Sequence, residues 1–217
     1  HGVRLSDPNT HVLDVLAQLL SGGKSSRLTR RLVEEEQLAT FVSVSNDSRR
    51  DPGLVWIWTE TKSGVDPEKA LTSILDELEK LKVTPVSADE LARAKKSLLT
   101  SLVFGRAKAE HTAEWIGWLA TVADWKLFGK QRELVEAVTA EDVCRVARTL
   151  FDADRRTVAI QPPGSSGSGG AKPPAGSRER SREGGAVAAA PGTGAAVRLS
   201  PTEVKLENGL TLLLLRH

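Results

Sequence analysis

Hydrophobic positions recur at helical spacing soon after the start of the chain: Val12, Leu13, Leu16, Leu19 and Leu20 follow Asp7-Pro8 and precede Gly22-Gly23. The pattern predicts a helix capped by Asp7, with Pro8 at the first helical position, where its missing N–H costs nothing. A second helix is predicted over Ser26–Glu36, with Leu28 and Leu32 inward and i,i+4 pairs Arg30/Glu34 and Arg31/Glu35 on a solvated face. The pattern then switches to period two. Residues 40–46 alternate and read as a strand, and Leu54–Thr61 reads as another, joined by a polar turn containing Asp51-Pro52-Gly53. The apolar run at 54–58 places the second strand centrally in its sheet.

Helical spacing returns after Asp66-Pro67, with Leu71, Ile74, Leu75, Leu78 and Leu81 inward. Ser87-Ala88-Asp89-Glu90 forms an S-x-x-E capping box ahead of a long helical region to about Phe128, interrupted at Gly105. Thr139–Asp142 caps a last helix ending near Phe151, and Arg155–Ile160 reads as a final strand. This order predicts an α+β fold: a two-layer sandwich whose mostly antiparallel sheet is covered on one face by helices. Glu203–Leu212 contains Asn208-Gly209, the strongest short hairpin signal.

Composition sharpens the boundaries. Of 18 Gly and 10 Pro in the 217 residues, nine Gly and five Pro fall within 162–196. The chain therefore divides into a body at 1–161, a flexible Gly/Pro/Ser/Ala-rich linker at 162–199 and the first hairpin of a following domain at 200–217. The 30 Lys+Arg nearly balance 28 Asp+Glu, which argues against nucleic-acid partners. No apolar run is long enough for a membrane span. The lone Cys144 excludes an internal disulfide and reads as a buried structural thiol. With no Met and no leader-like start, the chain reads as a fragment or processed piece.

Chemistry-bearing motifs are sparse. Gly23-Lys24-Ser25 follows a predicted helix and lacks the upstream glycine of a phosphate loop, so it reads as a helix–helix connection. His111-Thr112-Ala113-Glu114 has no second histidine one turn away, and His1, His11 and His217 lie elsewhere, so no zinc site is predicted within the chain. Trp115, Trp118, Val122 and Trp125 form one stripe, and Trp56 and Trp58 share a strand face; both read as core or interface anchors, with a peptide-binding wall as the rival. No catalytic constellation emerges.

Three spaced landmarks carry a resemblance. Residues 19–39 (LLSGGKSSRLTRRLVEEEQLA), Val86–Lys95 (VSADELARAK) and Val138–Val143 continuing to Arg156–Ala159 resemble, in this order, the inactive-side domain of pitrilysin/insulinase-type zinc metallopeptidases, a group that includes the mitochondrial processing peptidases. Val204–Thr211 resembles the first hairpin of the next such domain. The resemblance implies a non-catalytic chamber-forming domain of a zinc endopeptidase that degrades or processes unfolded peptides. Its partners would be an upstream catalytic domain and a second half or partner subunit. Zinc would sit in the upstream H-x-x-E-H motif, not in this chain. Some family domains carry a substrate-gripping Arg and Tyr; Val33 and Thr40 stand at those positions, so no catalytic, metal-binding or substrate-binding residue is carried over. The alternative is a catalytically inactive member serving as a scaffold, and a bacterial periplasm or envelope location is the expectation from the family.

Overall fold

The computed structural model describes residues 1–161 and the strand backbones 202–205 and 211–214. The linker assigned to 162–199 and the Asn208-Gly209 turn lie outside the described residues. Helix α1 (Asn9–Ser21) buries Val12, Leu13, Val15, Leu16, Leu19 and Leu20. The Asp7 carboxylate accepts the Asn9 N–H at 2.8 Å, but the helix starts at Asn9, one residue later than predicted, with Pro8 rather than Asp7 immediately before it. Each leucine in this helix removes enough surface from water to stabilise the fold by roughly 1.5–3 kcal/mol. Because it is buried around most of its circumference, α1 packs against the sheet and against three later helices.

The helix predicted for 26–36 is a π-helix, Thr29–Glu35. Its wider turn moves the ion pairs to i,i+5: Arg30–Glu35 at 3.2 Å and Arg31–Glu36 at 2.7 Å replace the expected i,i+4 pairs. Gln37, at φ 51°, then reverses the chain into strand β1.

β1 (Ala39–Asp47) and β2 (Leu54–Thr61) form a two-stranded antiparallel sheet, with a register shift between Ala39 and Phe41. Val42 and Val44 face the core, joined by the half-buried Val55 and Ile57. The expectation, drawn from its apolar run, that β2 is central in its sheet is corrected: among the described residues it pairs with β1 alone. Its burial alternates, and Leu54, Trp56 and Trp58 are exposed.

α2 (Pro67–Val83) begins where Asp66 accepts the Glu68 N–H at 3.1 Å. The long helical region is three helices, α3 (Ala88–Gly105), α4 (Ala109–Val122) and α5 (Leu127–Ala137). α6 (Ala140–Leu150) carries the full reciprocal box between Thr139 and Asp142. At α3 only half a box forms. Ser87 accepts the Glu90 N–H at 3.3 Å, while the Glu90 carboxylate is drawn away by Arg27. The strand predicted at Arg155–Ile160 is also corrected. Residues Ala153–Arg155 form a single 3-10 turn, and 156–161 pair with no strand among the described residues. β propensity without a ladder partner does not make a strand.

The main core unites α1, the π-helix, the inner sheet face, α2, α3, α5 and α6; a satellite core of Ile116, Leu119 and Phe128 joins α4 to α5. The helices cover one sheet face, an α+β arrangement. β3 (Thr202–Lys205) and β4 (Thr211–Leu214) pair antiparallel with Val204 opposite Leu212.

Candidate functional site

Two features of the body stand apart from ordinary packing, a partly buried charge clamp and an exposed aromatic sheet face. In the clamp, Arg27 grips Glu90 of α3 with two bonds, Nε at 2.6 Å and Nη2 at 2.8 Å, and reaches Glu77 of α2 at 3.4 Å. Arg31 binds Glu36 and, at 3.2 Å, Asp76, while its Nη1 faces Glu77 at 3.6 Å without a hydrogen bond. The fork of Arg27 suits a bidentate carboxylate contact. Its hydrogen bonds hold Glu90 below the usual glutamate range against the opposing effect of burial. Burial pushes Glu36 up, yet the bonds from Arg31 and Ser73 bring it below its ordinary value. The clamp ties the π-helix to α2 and α3, and every carboxylate in it is engaged by a guanidinium. Such a network sets geometry; it offers no free acid or base for chemistry.

The second feature is the sheet face turned away from the helices. Phe41, Leu54, Trp56 and Trp58 are between 41% and 47% exposed there. Ser45 lies opposite Trp56 and Ser43 opposite Trp58. Two indoles two residues apart, bordered by hydroxyls, make an amphipathic surface of the kind that anchors a neighbouring protein layer. The Trp56/Trp58 pair was legible in the sequence. Phe41 and Leu54 join it only through the strand register.

The remaining sequence candidates take structural places. Gly23-Lys24-Ser25 is the connection between α1 and the π-helix, and the Ser26 N–H donates back to the Gly23 carbonyl at 3.0 Å. Trp115 and Trp118 stack with centroids 5.0 Å apart and, with Trp125, pack on the satellite core. Arg106 closes that core from above the Phe128 ring at 4.1 Å and donates to the Phe128 carbonyl at 2.7 Å. Burial lowers its pKa. Cys144 is buried, with its thiol donating to the Lys82 carbonyl and accepting from Arg148, both at 2.9 Å. Val33 packs against the main core, and Thr40 sits exposed at the bulge of β1, where its hydroxyl donates to the Glu60 carbonyl at 3.2 Å.

Zinc does not fit the residues present. Among the described residues no group of three or more His, Cys, Asp or Glu side chains is placed to hold a metal ion. His111 is exposed on α4, and His11 is buried in α1 with Nδ1 3.7 Å from Asp14, its pKa lowered by burial. Among the described residues, no helix is long and apolar enough to cross a membrane.

The comparisons agree with this architecture. The family model for the peptidase M16 inactive domain matches residues 1–98. A crystal structure from Bordetella pertussis Tohama I, described as that of a candidate zinc protease, is 32% identical with a TM-score of 0.65, covering 72% of this chain and 87% of that one. The inactive peptidase domain of a candidate zinc protease from Bordetella parapertussis is 31% identical with a TM-score of 0.65, covering 72% and 85%. An uncharacterized zinc protease of Rickettsia felis is 28% identical over 154 residues, 68% of this chain and 36% of the relative. The chain thus spans little more than a third of the length of the curated relatives it matches. Helices over one face of an antiparallel sheet and these similarities lead to one assignment: the chain belongs to the peptidase M16 inactive-domain family.

Proposed function

We propose that this chain builds the non-catalytic part of the wall of a peptide-degrading chamber in a zinc metalloendopeptidase whose metal-binding motif lies upstream of it. The observation that carries the reading is the outer sheet face, where Phe41, Leu54, Trp56 and Trp58 stay exposed beside a well-filled core. Large apolar side chains grouped on one sheet face are costly to leave in water and are covered in the working protein by another layer. The charge clamp supports the same role, since it stiffens the helices behind that face. Substrates on this reading are unfolded or extended peptides, and the linker at 162–199 tethers a second half.

The reading is tested by metal content. The purified 217-residue chain should hold no stoichiometric zinc after dialysis against buffered zinc, whereas the chain joined to its upstream domain should hold one ion. Stoichiometric zinc on the isolated chain would contradict the proposal. The alternative, an inactive scaffold member, differs only upstream: there the joined protein would also fail to retain zinc.

A further inference from the structure

Directly opposite residues of an antiparallel pair share a sheet face, so the register of β1 and β2 decides what the outer face presents. Its rows are Phe41 beside Glu60, Ser43 beside Trp58, Ser45 beside Trp56, and Asp47 beside Leu54. Rings and hydroxyls fill the middle, and a carboxylate closes each end. No cation stands in these four rows. The Arg49 guanidinium reaches Asp47 at 2.9 Å from the turn, in an ion pair whose arginine is 69% exposed. Such a pair contributes little, and a carboxylate has lone pairs for a second cation.

Size and length narrow the occupant. Phe41, Leu54, Trp56 and Trp58, each 41–47% exposed, together offer on the order of 400 Å² of apolar surface. A stable interface between folded proteins takes about 800 Å² from each partner, so this face alone is too small to hold a second copy. From Phe41 to Asp47 the band measures about 20 Å, the reach of roughly seven residues of extended peptide. Such a peptide turns alternate side chains to one side, which matches the spacing of the rows. The indole N–H groups of Trp56 and Trp58 donate, and the Ser43 and Ser45 hydroxyls donate or accept, as a peptide backbone requires. The end carboxylates suit Lys or Arg, and the indoles between them suit apolar or aromatic side chains.

We propose that the outer face of β1 and β2 is a peptide subsite. It selects extended segments with a basic residue at each end of a seven-residue stretch and apolar side chains at the third and fifth positions. The inference rests on the chamber reading and deepens it: the layer over the indoles is the substrate itself, held here by its side chains while cleavage takes place elsewhere in the polypeptide.

Binding of labelled seven-residue peptides to the 217-residue chain, followed by fluorescence anisotropy, tests it. The probe has Lys at both ends, Phe at its third and fifth positions and Ser between them. One comparison peptide carries Asp in place of Lys, and another has the two Phe side by side. The probe is expected to bind about tenfold more tightly than either. Trp56→Ser and Trp58→Ser should each weaken it by about tenfold or more, and Glu60→Gln by about threefold, with the circular dichroism of every variant unchanged. Equal binding of the three peptides, no binding of the probe, or full binding by Trp56→Ser would overturn the proposal. So would self-association of the chain that Trp56→Ser abolishes, which assigns the face to a second copy. None of these results bears on zinc retention by the joined protein, so the chamber reading stands or falls separately.

Discussion

Gln37 is the one non-glycine with positive φ among the described residues, at 51°. It stands where the π-helix hands over to β1, and the next amide, Leu38, donates back to the Leu32 carbonyl at 2.8 Å. That closure resembles the glycine-bearing stop of an ordinary helix, widened by one residue. An L side chain there costs about 1–2 kcal/mol, of which glycine's greater unfolded freedom returns about 0.5–1. Gln37→Gly is therefore expected to raise stability by up to about 1 kcal/mol, read as a higher urea midpoint at unchanged slope. His11 provides a pH-dependent counterpart. Burial lowers its pKa from 6.5, so the unfolded chain takes up a proton first. Its neutral form contributes stability above that value, and the contribution is lost as pH falls through it toward the folded pKa. The urea midpoint should drop as pH falls below 6.5, and His11→Gln should flatten that slope. A second loss sets in below the ordinary glutamate value of 4.5, as Glu90 and Glu36, both held below it, become protonated.

At the level of elements, local chemistry was legible and distant partners were not. Asp66 and Thr139 cap their helices as their sequences predict, because a cap is decided within four residues. Glu90 sits in an equally good capping box, but Arg27, 63 residues away, claims its side chain. No short pattern announces that. The outward stripe of the π-helix was misread for a related reason: its i,i+5 pairing is selected by Asp76, Glu77 and Ser73 across the gap. Here the two readings separate experimentally. Glu36→Gln should cost about 1 kcal/mol, since Glu36 holds Arg31 and Ser73, whereas Glu35→Gln on the exposed Arg30 pair should cost almost nothing. The β1–β2 turn is more demanding. A Cβ on Gly53 would lie 1.7 Å from the Asp47 carbonyl, so Gly53→Ala must move backbone and is expected to destabilise by about 3 kcal/mol in thermal or urea unfolding. The run at 54–58 was apolar enough to suggest a strand buried on both faces; its exposure follows because no described residue covers the outer side, which nothing within the run announces.

For the whole molecule, the sequence landmarks led to the family, and the structure shows an exposed aromatic sheet face. Among the described residues, the helices pack on one face of a two-stranded sheet whose other face exposes Phe41, Leu54, Trp56 and Trp58. This arrangement suits a domain that lends shape to a reaction carried out elsewhere in the polypeptide. The most direct measurement is peptide cleavage by the upstream catalytic domain with and without this chain. The account predicts that each part alone is inactive on an unfolded peptide, and that the joined protein cleaves it in a zinc-dependent way lost with a chelator. Zinc-dependent cleavage by the 217-residue chain alone, or full activity of the upstream domain without it, would contradict the account.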